Sequence, residues 1–200
     1  MFLIKKKIFA ICKKDGFTLI EMMISVAIIT AISTQVLISF SSLNDSSNLT
    51  RAAQDFAFNI RRAQAMSLAV APVTIDGTLK IPQAVGIYVS SKPSFINGNL
   101  VYNYLFFADQ NNNKKYDASP SSEQIESATV LPNTIRIVSI TGENLFSPGA
   151  HIIFYTPEAT VAMTNHESVQ LSDVVDIVLK GVTGVTKTVR VRMSGQVTVL

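Results

Sequence analysis

From Phe17 to Phe40 the chain is apolar almost without interruption, with no Lys, Arg, Asp, Gly or Pro, and Glu21 is its one ionisable side chain. A helix that crosses a bilayer needs about 20 apolar residues at ~1.5 Å rise each, and this stretch supplies them. A polar cluster follows, Ser41-Ser42-Leu43-Asn44-Asp45-Ser46-Ser47-Asn48, which is either a break or a solvated turn of one long helix. Beyond it Leu49, Ala52, Ala53, Phe56, Ile60, Ala63 and Met66 recur at helical spacing, while Arg51, Asp55, Arg61 and Arg62 fall on the other side. Such a stripe predicts a helix packed by one face against the protein's own sheet. Pro72 is expected to end it, because proline removes a donor and clashes with the preceding turn.

After Pro72 the period changes to two. Strands are expected at 85–89, 101–108, 135–140, 152–155, 174–179, 188–193 and 197–200, where β-branched and aromatic residues dominate. Gly181 to Gly184 and Ser194-Gly195 read as hairpin turns, and Pro148-Gly149 and Thr156-Pro157 as other turns. One long helix followed only by strands indicates an α+β class with antiparallel sheets packed on the helix. The organisation read from the pattern is a leader over 1–16, a transmembrane and assembly helix over 17–43, a soluble continuation over 44–72 and a β-rich domain over 73–200.

Charge sharpens this division. The formal net charge is +3, yet the leader holds Lys5, Lys6, Lys7, Lys13 and Lys14 against Asp15 alone. The rest of the chain is therefore near −1, with 12 of the 17 basic and 13 of the 14 acidic residues. A basic segment before an apolar span favours a cytoplasmic N-terminus and is no evidence for nucleic-acid binding. Cys12, the only cysteine, also lies in the leader, so the chain beyond it has neither a disulfide nor a cysteine metal site.

A carboxylate inside a membrane segment costs about 2.5–3.5 kcal/mol or more, so Glu21 is a functional residue by default. Its surroundings, Gly16-Phe17-Thr18-Leu19-Ile20-Glu21, resemble the class III signal of type IV pilins and pseudopilins. That resemblance implies cleavage between Gly16 and Phe17 by prepilin peptidase, followed by methylation of the new amino group. It also implies a pairing of Glu21 with the α-amino group of a neighbouring subunit. A secretory signal differs, because its cleavage site follows the apolar region.

The Ala-rich helix carrying Arg61-Arg62-Ala63-Gln64-Ala65, the strands after it and the closing Ser-Gly-Gln-Val turn resemble the GspH/FimT family of minor pseudopilins. The absence of a disulfide beyond the leader leans the same way. The resemblance implies a pilin-like fold and a place at or near the tip of a short filament, in type II secretion or a type IV pilus. The implied partners are prepilin peptidase, other pilin or pseudopilin subunits and the inner-membrane assembly platform. The implied location is the inner membrane, crossed once, with the β-rich domain on the periplasmic or extracellular side.

A second motif is Asp109-Gln110-Asn111-Asn112-Asn113-Lys114-Lys115-Tyr116-Asp117. Oxygen side chains at Asp109, Asn111, Asn113 and Asp117 follow the alternating rhythm of a calcium loop, which lets one loop turn several oxygens inward. Lys114 stands where such loops carry Gly, and Pro120 where they carry the last Glu, so Glu123 or Glu126 would have to fold back. The other reading is a polar hairpin loop in which Asn residues supply the turns. If calcium binds, Asp109→Ala should abolish its stabilising effect and leave the calcium-free protein nearly as stable.

His151 and His166 have no partner motif, and no nucleophile elbow, phosphate loop or zinc spacing is present. No enzyme is expected. Lys187, Arg190 and Arg192 on one strand raise the alternative of a DNA-binding minor pilin, and a membrane-anchored binding protein that never polymerises is a third reading. The latter would need neither the peptidase nor Glu21.

Overall fold

Thr18 opens the one helix among the described residues of the computed structural model: its Oγ1 accepts the Glu21 backbone N–H at 3.3 Å, as an N-cap threonine does. The structure describes residues 16–200 apart from 76, 97–98, 119–122, 143–147, 166 and 172. The leader lysines, Cys12, Pro120 and His166 lie outside the described residues. Helix α1 (Leu19–Leu68) is followed by β1 (Val73–Ile75), β2 (Thr78–Lys80), β3 (Ala84–Ser90), β4 (Ser94–Ile96) and β5 (Asn99–Val101). Then come β6 (Asn103–Asp109), β7 (Thr129–Val130), β8 (Arg136–Thr141), β9 (Gly149–Tyr155), β10 (Thr160–Asn165), β11 (Val174–Lys180), β12 (Thr186–Arg192) and β13 (Val197–Val199). The polar cluster after Phe40 is helical throughout. The chain divides into two compact units, with the boundary between Ser41 and Ser42.

In the first unit, Leu19–Leu37 is apolar and long enough to cross a membrane, and none of it is buried by the protein. Three of its hydroxyls are satisfied within the helix. Ser25, Thr30 and Thr34 each donate to the carbonyl four residues earlier, at 2.8, 2.7 and 2.9 Å. That arrangement suits hydrocarbon, where an unpaired polar group is costly.

In the second unit the α1 stripe is as expected. Leu49, Ala52, Ala53, Phe56, Ala57, Ile60 and Ala63 are buried and Met66 is partly so, while Arg51, Asp55, Arg61 and Arg62 are exposed. Two antiparallel sheets receive this face, a five-stranded one in the order β10-β9-β3-β6-β7 and a four-stranded one in the order β13-β12-β11-β8. Alternate residues of both (Val85, Ile87, Phe106, Ile152 and Phe154 in one, Val175, Ile177, Val189 and Val191 in the other) form a single core with the helix, as period-two strands dictate. The two-stranded hairpins β1-β2 and β4-β5 are separate sheets, and β1 buries Val73 and Ile75 against Ala108 of β6.

The five-stranded sheet is buried on its second face too. Ala84, Leu105, Phe107, Ile153 and Ala162 pack there with Tyr88, Tyr116, Ala128 and Tyr155. Burial on both faces explains why β3, β6 and β9 read as nearly continuous apolar runs. Gly86 is part of this packing: a Cβ there would lie 2.7 Å from the Phe107 ring and 2.9 Å from the Ile152 carbonyl oxygen.

Two places beside β12 are tied to α1, the turn before it and β13 at its far end. At one end the turn after β11 meets Asp45; at the other, Arg61 donates to the Val197 carbonyl at 2.8 Å. The helix stops at Leu68, four residues before Pro72. Ala71 N–H donates to Met66 O and Val70 N–H to Ser67 O, both at 3.1 Å, the paired bonds of a Schellman cap. Val70 takes the left-handed conformation, φ 50°, where glycine is usual, so the stop is built from backbone hydrogen bonds, with the proline beyond it.

Candidate functional site

The N-terminal site is built from Gly16, Phe17, Thr18 and Glu21. Gly16 to Thr18 are non-helical and lead into the capped start of α1. Thr18-Leu19-Ile20-Glu21 has the spacing of a capping box, and Glu21, the acid of the first turn, sits where the helix dipole favours a negative charge. Nothing lies within 4 Å of a Cβ placed on Gly16, so no neighbour in the described chain requires a glycine there. Phe17 is 77 % exposed, and Leu19, Ile20, Met22, Met23 and Ile24 around Glu21 are exposed as well. Among the described residues Glu21 has no salt-bridge partner. An acid surrounded by apolar side chains that nothing in its own unit covers is disposed to meet a cation from outside.

The loop after β6 gathers the second set of residues. Asp109 is fully buried, and its two carboxylate oxygens accept the N–H groups of Asn113 at 3.2 Å and Lys114 at 2.9 Å. Asn111 Oδ1 accepts Asn113 N–H, and Asn113 Oδ1 accepts Lys115 N–H. Asp117 Oδ2 receives the side-chain amides of both Asn111 and Asn113, at 2.8 and 2.6 Å. Asn112 and Lys114 adopt positive φ, 58° and 63°, so Lys114 takes the conformation for which calcium loops use glycine at that place.

Glu123 folds back into the loop, and Glu126 does not. Glu123 is buried and accepts Gln110 N–H at 2.9 Å and Asp117 N–H at 3.1 Å. Glu126 is instead held by both guanidinium nitrogens of Arg62, which lies over the Phe106 ring. The four residues of the calcium pattern are therefore brought together, but the amide NH2 groups of Asn111 and Asn113 face the Asp117 carboxylate where a cation would need oxygens. Among the described residues no group of three or more His, Cys, Asp or Glu is arranged to hold a metal ion.

Burial raises the Asp109 carboxyl above its ordinary range, against the backbone N–H bonds that lower it, and the Asp117 charge adds to the rise. Glu123 is raised in the same way, by burial first and then by Asp109 and Asp117. The loop is fastened to the outer face of the five-stranded sheet. Tyr116 N–H donates to His151 Nδ1 at 3.1 Å, Thr164 donates its hydroxyl to the Lys114 carbonyl, and the His151 ring stacks on Tyr88 at 4.7 Å. His151 is thus a buried packing residue under the loop.

Arg190 is engaged as well. Its Nε and a terminal nitrogen donate to the two Asp176 oxygens, both at 2.8 Å, while Arg192 is exposed. Asp45, which the pattern of the sequence did not single out, accepts Val182 N–H, Thr183 N–H and the Thr183 hydroxyl. Those bonds hold its carboxyl below the usual aspartate range. An aspartate in a Ser- and Asn-rich stretch carries no local sign of a partner more than a hundred residues away.

Residues 11–34 match the prokaryotic N-terminal methylation motif. This is a type IV pilin-like signal, so the chain is of the kind processed as a prepilin and assembled with other pilin subunits. No curated protein and no solved structure gives a match to the chain.

Proposed function

We propose that this chain is a minor pseudopilin or minor pilin of the GspH/FimT kind. Prepilin peptidase cuts it between Gly16 and Phe17 and methylates Phe17. The assembly platform of the inner membrane then places it at or near the tip of a type II secretion pseudopilus or a type IV pilus. The observation that carries this reading is the position of Glu21, on an exposed apolar helix whose start is capped immediately after the cleavage junction. In lipid two opposite charges are tolerated together and costly apart, so Glu21 and the amino group of a neighbouring subunit fix one register of assembly. No catalytic step is part of this reading. The DNA-binding alternative has less support, because the Arg190 guanidinium is already committed to Asp176.

Assembly of a Glu21→Ala variant tests it. Breaking a buried pair by removing one partner costs about 3–5 kcal/mol, enough to exclude the subunit from the filament. The variant should still be cleaved and inserted in the membrane but be missing from sheared filaments. Wild-type levels of the variant in those filaments contradict the proposal and favour an anchored protein that does not polymerise.

A further inference from the structure

The outer strands of the two large sheets are β10, β7, β13 and β8, and all but β7 are protected against further pairing. Outside β10, Asn165 N–H donates to Val169 O and Leu171 N–H to Met163 O. Outside β13, Arg61 holds the Val197 carbonyl. In β8 the register with β11 skips Val138, a bulge of the kind that keeps an edge strand from pairing. Among the described residues β7 has none of these devices. Leu131 N–H donates inward to Tyr102 O at 2.8 Å, and Val130 lies opposite Asn103. Antiparallel strands bond one partner at alternate residues, so the N–H and C=O of Val130 point to the open side, and Val130 is 44 % exposed.

A groove of about 290 Å³ runs beside this edge. Arg51, Ala52 and Asp55 of α1 form one wall, Thr129, Val130 and Leu131 the other, and Tyr104 lines it between them. The walls run in opposite directions. Tyr104 pairs with Thr129 and its hydroxyl accepts the side-chain amide of Asn59, one turn beyond Asp55, so Thr129 lies toward the Asp55 end and Leu131 toward the Arg51 end. Arg51 and Asp55 are exposed, and among the described residues neither is in an ion pair. Four helical residues advance ~6 Å, close to the ~6.8 Å between alternate residues of a strand. A second backbone supplies both an acceptor for the Val130 N–H and a donor for its C=O. A polyanion or a phosphate would suit Arg51 and be repelled by Asp55.

We propose that β7 and α1 take up one extended segment of a protein partner, added antiparallel to the open edge of β7 and carrying the pattern acid, apolar residue, base. The apolar residue exchanges two hydrogen bonds with Val130. The acid, opposite Leu131, meets Arg51, and the base, opposite Thr129, meets Asp55. The stems of these two side chains cover Ala52 and Tyr104. None of the 14 acidic residues of this chain has Lys or Arg two positions later, so the segment comes from a different protein and not from a second copy. The site lies wholly within the globular unit, and the inference stands or falls apart from the prepilin reading.

The test uses the full chain in detergent and two dye-labelled peptides, Thr-Val-Glu-Val-Lys-Val-Thr and its charge-reversed form Thr-Val-Lys-Val-Glu-Val-Thr, with binding read by fluorescence anisotropy. The first peptide should bind more tightly by roughly tenfold, as two exposed charge pairs allow. Arg51→Glu/Asp55→Arg should invert the preference. Proline is tolerated at an edge position whose N–H faces outward, so Val130→Pro should keep the wild-type melting temperature and lose binding of both peptides. No binding of either peptide at millimolar concentration, or equal binding of the two, overturns the proposal. Binding that survives Val130→Pro overturns it as well, and means that the groove holds its ligand by side chains alone. Self-association of the wild type that both variants abolish would make the occupant a second copy and contradict the partner proposed.

Discussion

Asp109 ends β6 without solvent exposure, and each of its carboxylate oxygens accepts a backbone N–H of the loop that follows. This changes what its loss does. A residue whose role is to hold calcium could be removed at little cost to the calcium-free protein, as the loop pattern alone suggests. A buried acceptor of two N–H groups cannot, since each buried donor left unpaired costs about 1–3 kcal/mol, partly offset by no longer burying a charge. Asp109→Ala should therefore lower the stability of the calcium-free protein by about 2 kcal/mol, read from urea unfolding of the detergent-solubilised chain followed through its tyrosines. Asp109→Asn, which keeps one acceptor, should lose less. An alanine variant as stable as the wild type would mean that water replaces the carboxylate. The alternating oxygens at Asp109, Asn111, Asn113 and Asp117 were legible in the sequence. Their hydrogen bonding was not, because whether an amide turns its oxygen or its nitrogen inward depends on what surrounds it.

The described residues of the loop after β6, 110–118 and 123–128, act as an element in their own right, a cover on the outer face of the five-stranded sheet fastened through His151 and Thr164. Its two buried carboxyls give it a pH dependence. Both Asp109 and Glu123 are raised, chiefly by burial, so the folded chain binds their protons more tightly than the unfolded chain. Stability then falls as pH rises from the ordinary carboxylate range through the raised values. Acidification from neutral pH should first stabilise the globular unit. The loss comes only below the ordinary aspartate value, where Asp45, whose pKa is lowered, becomes protonated and gives up its hold on the β11-β12 turn. A melting temperature that drops steadily from pH 7 downward would contradict this. Calcium makes a second arm of the same experiment. If the amides of Asn111 and Asn113 turn over to admit it, the gain is about 2.7 kcal/mol at a hundredfold excess over Kd, and no gain at millimolar calcium leaves the loop closed by its own bonds. The other elements were unevenly legible. The α1 stripe and the strands of the four-stranded sheet follow from period, because one face of each is buried, while β3, β6 and β9 show as apolar runs because both of their faces are. β10 was missed because its end, Thr164-Asn165, looks like a loop although both residues are buried; Asn165 Oδ1 accepts the N–H groups of Glu167 and Val169. The three-residue strands of β1-β2 and β4-β5 are too short to show a period at all.

For the molecule as a whole, the sequence divides into a basic leader, an apolar helical unit and a globular unit built on one helix face and two large sheets, and each part carries a different share of the account. The fold class was legible because helix and strand periods follow one another along the chain without mixing. The arrangement of the sheets depends on which distant strands pair, and no local signal at Asp45, Arg61 or Arg190 announces the long-range bonds they make. The role in assembly rests on the short segment around Gly16-Phe17-Thr18-Leu19-Ile20-Glu21, and it commits the chain to one chemical fate before any filament exists. The most direct test is therefore the intact mass and N-terminal sequence of the protein extracted from membranes of cells that contain a prepilin peptidase. The account predicts a chain that begins at Phe17 and carries one methyl group on its α-amino nitrogen. A chain that still begins at Met1, or one cut beyond Phe40, would contradict it.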